Sequence, residues 1–151
     1  MASFTGTYYY TLDPKGRIII PAPIREVLHS EYNNSKIFVT NAPFDKCLNV
    51  YPLAQWSILE EKIRGKPKTD KYIQFFIRRV FASAVECDID KNGRLMIPYE
   101  LRQNAQLNGD IAIVGGFHIF EIWNKELFVD VTDPEKIDKD ACMKALSEYG
   151  L

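Results

Sequence analysis

Two stretches of the chain place cationic side chains at the bend of a tight turn, where they can grip an anion. The first reads Asp13-Pro14-Lys15-Gly16-Arg17 and the second Asp90-Lys91-Asn92-Gly93-Arg94. Aspartate in the first position can accept hydrogen bonds from N–H groups of its own turn. Proline in the second presets φ for a type I turn. Glycine in the fourth supplies the left-handed backbone that closes a hairpin with a bulge. Asp13, Gly16, Asp90 and Gly93 are therefore read as turn builders, which leaves Lys15, Arg17, Lys91 and Arg94 for chemistry. One lone arginine in such a place is ordinarily a solvated charge or the partner of the turn aspartate. Two bends with two cations each have the shape of β-ribbon tips able to enter a DNA groove.

No catalytic constellation competes with this reading. His29 and His118 each lack a second His, Cys or carboxylate at metal-ligand spacing. Cys47 and Cys87 fall in predicted strands and read as core fillers, and Gly115-Gly116 is too short for a phosphate-binding loop. No enzyme activity, metal, cofactor or small-molecule substrate is expected. The three cysteines are scattered without a CxxC pair, as suits reduced thiols.

Arg25 and Arg102, on the short helices, read as structural ion-pair residues. Residues 62–79 hold seven Lys or Arg against one acid, whereas residues 121–151 hold eight acids against four lysines. A formal net charge of −1 thus hides a basic middle that can still form a local anion-binding surface. The basic run is ordinarily a solvated face, with phosphate contact as the sharper alternative.

The turns are parts of a longer repeat. Residues 12–25 and 89–102 share the pattern apolar, Asp, x, x, Gly, Arg, three apolar residues, Pro, x, x, apolar, Arg, at an offset of 77. Phe4 answers Phe81 at that offset, Ile37-Phe38-Val39 answers Ile111-Ala112-Ile113, and Val50-Tyr51 answers Ile122-Trp123. The chain is therefore two copies of one unit: strand, basic turn, strand, short helix, then a strand pair. The apolar run after each turn suggests a strand buried on both faces. Proline then ends the strand and starts a helix at Pro21, Pro52 and Pro98. Gly65-Lys66-Pro67-Lys68 splits a helical hairpin between the copies, with Thr69 as the expected N-cap of its second helix. Three adjacent tyrosines (Tyr8, Tyr9, Tyr10) put aromatics on both faces of the first strand. An apolar share of 46% suits a soluble protein, and no apolar run approaches the ~18 residues of a membrane helix. The N-terminus lacks the basic region and apolar core of a secretion signal.

These residues resemble the MraZ family of bacterial transcription regulators. The resemblance rests on the two Asp-x-x-Gly-Arg turns, on Cys47-Leu48-Asn49-Val50-Tyr51-Pro52-Leu53, on Arg78-Arg79-Val80-Phe81-Ala82-Ser83-Ala84, and on Phe120-Glu121-Ile122-Trp123. It spans Phe4 to about Phe128. It implies a mixed α/β, β-rich fold, a two-repeat AbrB-like swapped-hairpin β-barrel with short helices and a helical-hairpin linker. The corresponding division is repeat 1 at 5–54, linker at 55–80, repeat 2 at 81–126 and a C-terminal helical tail at 127–151. It further implies a ring-like homo-oligomer in the cytoplasm, associated with the nucleoid. That oligomer would bind double-stranded DNA at promoter direct repeats upstream of the division and cell-wall operon, as a repressor. The family's turn arginine lands on Arg17 and, in the second copy, Arg94; its turn lysine lands on Lys15, with Lys91 beside Arg94. Another AbrB-like regulator or an antitoxin-type protein-binding module is the alternative, as is a purely structural ring protein.

Overall fold

The computed structural model describes residues 2–151. Along the chain run β1 (Thr7–Thr11), β2 (Arg17–Ile19), α1 (Ala22–Val27), β3 (Lys36–Asn41), β4 (Leu48–Pro52), α2 (Leu53–Arg64) and α3 (Lys71–Phe76). The second half repeats the plan as β5 (Val85–Asp88), β6 (Arg94–Met96), α4 (Tyr99–Asn104), β7 (Asp110–Gly116), β8 (Ile119–Asn124) and α5 (Lys125–Val131). A last helix, α6 (Lys139–Glu148), follows a 3-10 turn at Pro134–Lys136.

Six strands form one antiparallel sheet in the order β1-β7-β8-β4-β3-β5, and β2 pairs with β6 in a separate ribbon. Exchanging the repeats turns that order into its own reverse, so a pseudo-dyad passes between β4 and β8 and through the β2·β6 ribbon. The hairpins are swapped: β1 of the first repeat pairs with β7 of the second, Tyr8 opposite Ile113, while β5 pairs with β3, Cys87 opposite Ile37. The ladders form two open sheets rather than one unbroken cylinder, with β1 and β5 at the edges of the larger. This is the expected AbrB-like double-repeat architecture.

The repeat is also legible in the core. Ile18, Ile20, Ile24 and Leu28 are buried, and so are their counterparts Leu95, Ile97, Leu101 and Ala105. Each fully buried Ile or Leu contributes about 1.5–3 kcal/mol relative to exposure, so sequestering this set inside the swapped hairpins holds the two repeats as one core.

Two local expectations need correction. The strands after the turns are not buried on both faces: Ile19 is 48% and Met96 49% exposed. A two-stranded ribbon lying on the core buries one face only, so Ile18 and Leu95 point in while their neighbours point out. The N-cap of α3 is Asp70, whose Oδ1 accepts from the Tyr72 and Ile73 N–H groups at 2.7 and 3.3 Å, rather than Thr69. The helix after Pro21 continues past Val27 as a single π-helical turn, Leu28–Tyr32, closed by Asn33 at φ 47°.

Between the copies, Trp56 of α2 stacks on Phe38 of β3 at 4.8 Å and meets Phe81 at the same distance, seating the linker helices on the outer face of the sheet. Helix α6 starts at Asp138, which caps the Ala141 N–H at 3.1 Å, and it buries none of its residues.

Candidate nucleic-acid interface

Both Asp-x-x-Gly-Arg segments fold as the same turn. The Gly16 N–H donates to the Asp13 carbonyl at 3.0 Å, and the Asp13 N–H to the Arg17 carbonyl at 3.0 Å. In the second copy the Gly93 N–H donates to the Asp90 carbonyl at 2.9 Å and the Asp90 N–H to the Arg94 carbonyl at 2.9 Å. The bulge needs a left-handed residue, and Gly16 (φ 80°) and Gly93 (φ 76°) supply it.

The turn aspartates do two jobs. Asp13 Oδ1 accepts from the Lys15 and Arg17 N–H groups, both at 2.9 Å, and its Oδ2 accepts from Arg17 Nε at 2.8 Å. Asp90 repeats this with Asn92 N–H (2.8 Å), Arg94 N–H (2.9 Å) and Arg94 Nε (3.2 Å). The backbone N–H of Arg17, above all, holds the Asp13 carboxyl below the usual carboxylate range, and the backbone N–H of Arg94 does the same for Asp90. Each arginine is thus both partner of its aspartate and, through the other edge of its guanidinium, free: Nη1 and Nη2 of Arg17 and Arg94 make no hydrogen bond among the described residues. An arginine fixed by Nε and open at both Nη atoms is oriented for a two-pronged acceptor such as a guanine edge or a phosphate.

The ribbon puts both arginines on one surface. In β2·β6, Arg17 lies opposite Met96 and Ile19 opposite Arg94, all four on the outer face, while the Ile18–Leu95 pair lies inside. Two residues of rise and one interstrand step separate the Arg17 and Arg94 Cα atoms by about 8 Å. Lys15 and Lys91 are exposed at the tips beside them. The two arginines therefore share one face with half-exposed Ile19 and Met96, and the exposed Lys15 and Lys91 lie in the turns at its two ends.

Arg25 and Arg102 do not behave as ion-pair residues. Neither has an acidic partner among the described residues. Each extends over the glycine of the other repeat's turn instead. A methyl group built on Gly16 would overlap the Arg102 guanidinium, and one on Gly93 would stand 3.0 Å from Arg25 Cζ and Nε. Their signal was in the repeat itself, which carries an arginine eight residues after the turn arginine in both copies.

The basic stretch from Lys62 is partly committed to structure. Arg64 pairs with Glu60 at 3.0 Å, and Lys68 Nζ donates to the carbonyls of Ile63, Arg64 and Lys66 at 2.8–2.9 Å, closing α2. Arg79 Nε donates to the Ala42 carbonyl at 3.0 Å. Lys62, Lys66, Lys71 and Arg78 remain as exposed charges. Cys47 is buried in the bend before β4, and burial, above all, pushes its thiol far up, which suits a core filler and not a nucleophile. Among the described residues no His, Cys, Asp and Glu cluster is arranged to hold a metal ion, and no helix is long and apolar enough to cross a membrane.

A family model described as MraZ protein, antitoxin-like, matches residues 3–75 and 80–144. The match runs past Phe128, where the sequence resemblance had stopped, and into α6. The chain is 42% identical over 127 residues to the transcriptional regulator MraZ of Desulfitobacterium hafniense (strain Y51), covering 84% of this chain and 85% of that one. It is 38% identical to the Pediococcus pentosaceus protein of the same name over 148 residues, 98% of this chain and 99% of the relative. The Clostridium beijerinckii protein, also named transcriptional regulator MraZ, is 37% identical over 148 residues.

Proposed function

The chain belongs to the MraZ family, and on that premise we propose that it is a sequence-specific DNA-binding transcription regulator rather than an enzyme. It acts as a repressor, as a ring-like oligomer on short direct repeats upstream of the division and cell-wall operon, in the cytoplasm at the nucleoid. Lys15 and Arg17 read DNA at the first tip, with Lys91 and Arg94 in support at the second. One observation carries this reading: Arg17 is locked by Asp13 through Nε, at 2.8 Å, on the same exposed ribbon face as Arg94.

Magnitudes explain the oligomer. A bidentate arginine–guanine contact discriminates by ~1–3 kcal/mol, whereas a working operator needs roughly 4–10 kcal/mol over non-specific DNA. One subunit with two tips supplies about 2–6 kcal/mol, only the lower part of that range. Several subunits on successive repeats reach it, because each contact after the first is intramolecular and benefits from a high effective concentration. The near-neutral chain is no obstacle, since the positive charge sits at the repeated tips and eight acids lie in residues 121–151.

The antitoxin-type alternative belongs to chains with one barrel half and an unfolded toxin-wrapping tail. Two fused repeats and a helical α6 support the regulator over it. A footprint of the purified protein on DNA upstream of its own gene tests the proposal. Protection of evenly spaced repeats is the expected pattern, and uniform protection or none would count against it.

A further inference from the structure

We propose that Arg102 and Arg25 are positioning residues that act across the pseudo-dyad, each holding the DNA-reading tip of the other repeat in shape. This rests on the tips being the DNA readers. Arg102 belongs to α4 of the second repeat, yet its guanidinium fills the space beside Gly16 in the first repeat's turn, with Nε 2.8 Å from the point a Cβ would take. Arg25 of α1 does the same at Gly93, at 3.0–3.1 Å. The backbone is crossed at the same places: the Ile97 N–H donates to the Gly16 carbonyl at 3.0 Å and the Ile20 N–H to the Gly93 carbonyl at 2.8 Å. Each turn is therefore built by its own aspartate from within and backed by the other repeat's arginine from outside.

The lack of acidic partners is what makes this an assignment to position. An arginine without a carboxylate partner, resting on the glycine of the other repeat's turn, is retained by packing. A planar, weakly hydrated guanidinium suits flat contact with glycine backbone in a way an ammonium does not. Arg25 Nε donates to the Ile20 carbonyl at 3.0 Å, which anchors it to the same ribbon. Arg102 lies with Cζ 5.5 Å from the centre of the Tyr99 ring, and its Nε is buried without a hydrogen-bond partner in the structure. Removing either side chain leaves a gap under the turn, so the Asp–Arg pair above it loses its fixed direction.

The consequence is a coupling that crosses the repeats, and a double-mutant cycle reads it. Binding to a direct-repeat fragment is measured by fluorescence anisotropy at low salt, where weakened complexes remain measurable. Arg102→Ala is expected to weaken binding roughly tenfold, within the range of coupled neighbours. The double variant Arg17→Ala/Arg102→Ala should bind no more weakly than Arg17→Ala alone. With Arg94→Ala, the effect of Arg102→Ala should multiply. Arg25→Ala should show the mirror pattern, coupled to Arg94 and independent of Arg17. Arg102→Lys keeps the charge but not the plane, so it should behave like Arg102→Ala.

Full affinity in Arg102→Ala, multiplication with Arg17→Ala, or rescue by lysine would each overturn the inference, the last by making Arg102 a direct phosphate contact. A second readout needs no DNA. Amide hydrogen exchange at Lys15–Arg17 should quicken in Arg102→Ala and in Arg102→Gln, while Lys91–Arg94 stays at the wild-type rate; equal rates at both turns would refute the cross-repeat support. If the wild type binds no DNA, the regulator reading fails, and the exchange result still decides the clasp.

Discussion

Substituting alanine at three left-handed glycines separates backbone strain from the arginine clasp. Gly16, Gly93 and Gly109 have φ of 80°, 76° and 64°. An L-residue in this region costs roughly 1–2 kcal/mol, partly offset by the ~0.4–1 kcal/mol an alanine removes from unfolded-chain entropy. Those contributions are nearly equal at the three sites. The surroundings differ: a Cβ on Gly109 has nothing within 4 Å, one on Gly93 stands 3.0 Å from Arg25, and one on Gly16 overlaps Arg102. Overpacking against fixed neighbours costs typically about 1–3 kcal/mol, and a guanidinium at the end of a flexible chain can be pushed aside for less, so Gly16→Ala should be less stable than Gly109→Ala by up to about 1 kcal/mol, with Gly93→Ala between them. Urea denaturation at one fixed protein concentration measures it, the concentration being held because an oligomer's stability depends on it. Adding Arg102→Ala to Gly16→Ala should recover part of the excess. If Gly16→Ala and Gly109→Ala are equally stable and adding Arg102→Ala changes both alike, Arg102 does not press on the Gly16 turn and the clasp is refuted.

Three further outcomes follow from the same geometry. Leu95→Ala, at a fully buried site opposite Ile18, should lower unfolding free energy by about 2–5 kcal/mol, whereas its half-exposed neighbour Met96→Ala should change it by no more than ~0.5 kcal/mol; equal effects would contradict the one-sided ribbon. Asp13 and Asp90 have folded-state pKa values below the ordinary one, so the unfolded chain takes up protons first as pH falls. Their stabilisation is complete above the unfolded value of about 4 and disappears as pH drops through the folded values; denaturation followed from pH 6 to 2 should steepen below 4 in the wild type and less so in Asp13→Asn. Light scattering at micromolar concentration should give a multiple of the 17.4 kDa chain mass, and Arg17→Ala should give the same multiple, since the ribbon face is reserved for DNA; a monomer would refute the oligomer.

How far the fold could be read depended on whether a residue's role was local. The Asp13 and Asp90 turns, the left-handed Gly16 and Gly93, and the helix starts after Pro21, Pro52 and Pro98 are set by neighbours along the chain, and they appear where residue chemistry puts them. The offset of 77 also anticipated the symmetry of the sheet. What stayed hidden was non-local. Ile19 and Met96 sit inside apolar runs, and only the pairing of β2 with β6 shows that one side of that ribbon has no cover. Arg25 and Arg102 read as structural ion-pair residues because the glycines they cover are in the other repeat, a juxtaposition created by the swap. For Arg17 the alternatives were a turn partner or a DNA reader. The geometry shows the first through Nε and leaves Nη1 and Nη2 open for the second.

The most direct test of the central claim is the salt dependence of binding to a promoter fragment carrying direct repeats, for the wild type and Arg17→Ala side by side. Each phosphate neutralised contributes about −0.9 to the slope of log affinity against log salt. The expected result is a steep negative slope for the wild type and a clear preference for the repeats over a scrambled fragment. Arg17→Ala should lose that preference while keeping its oligomer size and melting temperature. Wild-type affinity for the repeats in Arg17→Ala would contradict the account, and the exposed cations Lys62, Lys66 and Lys71 would then be the readers to examine.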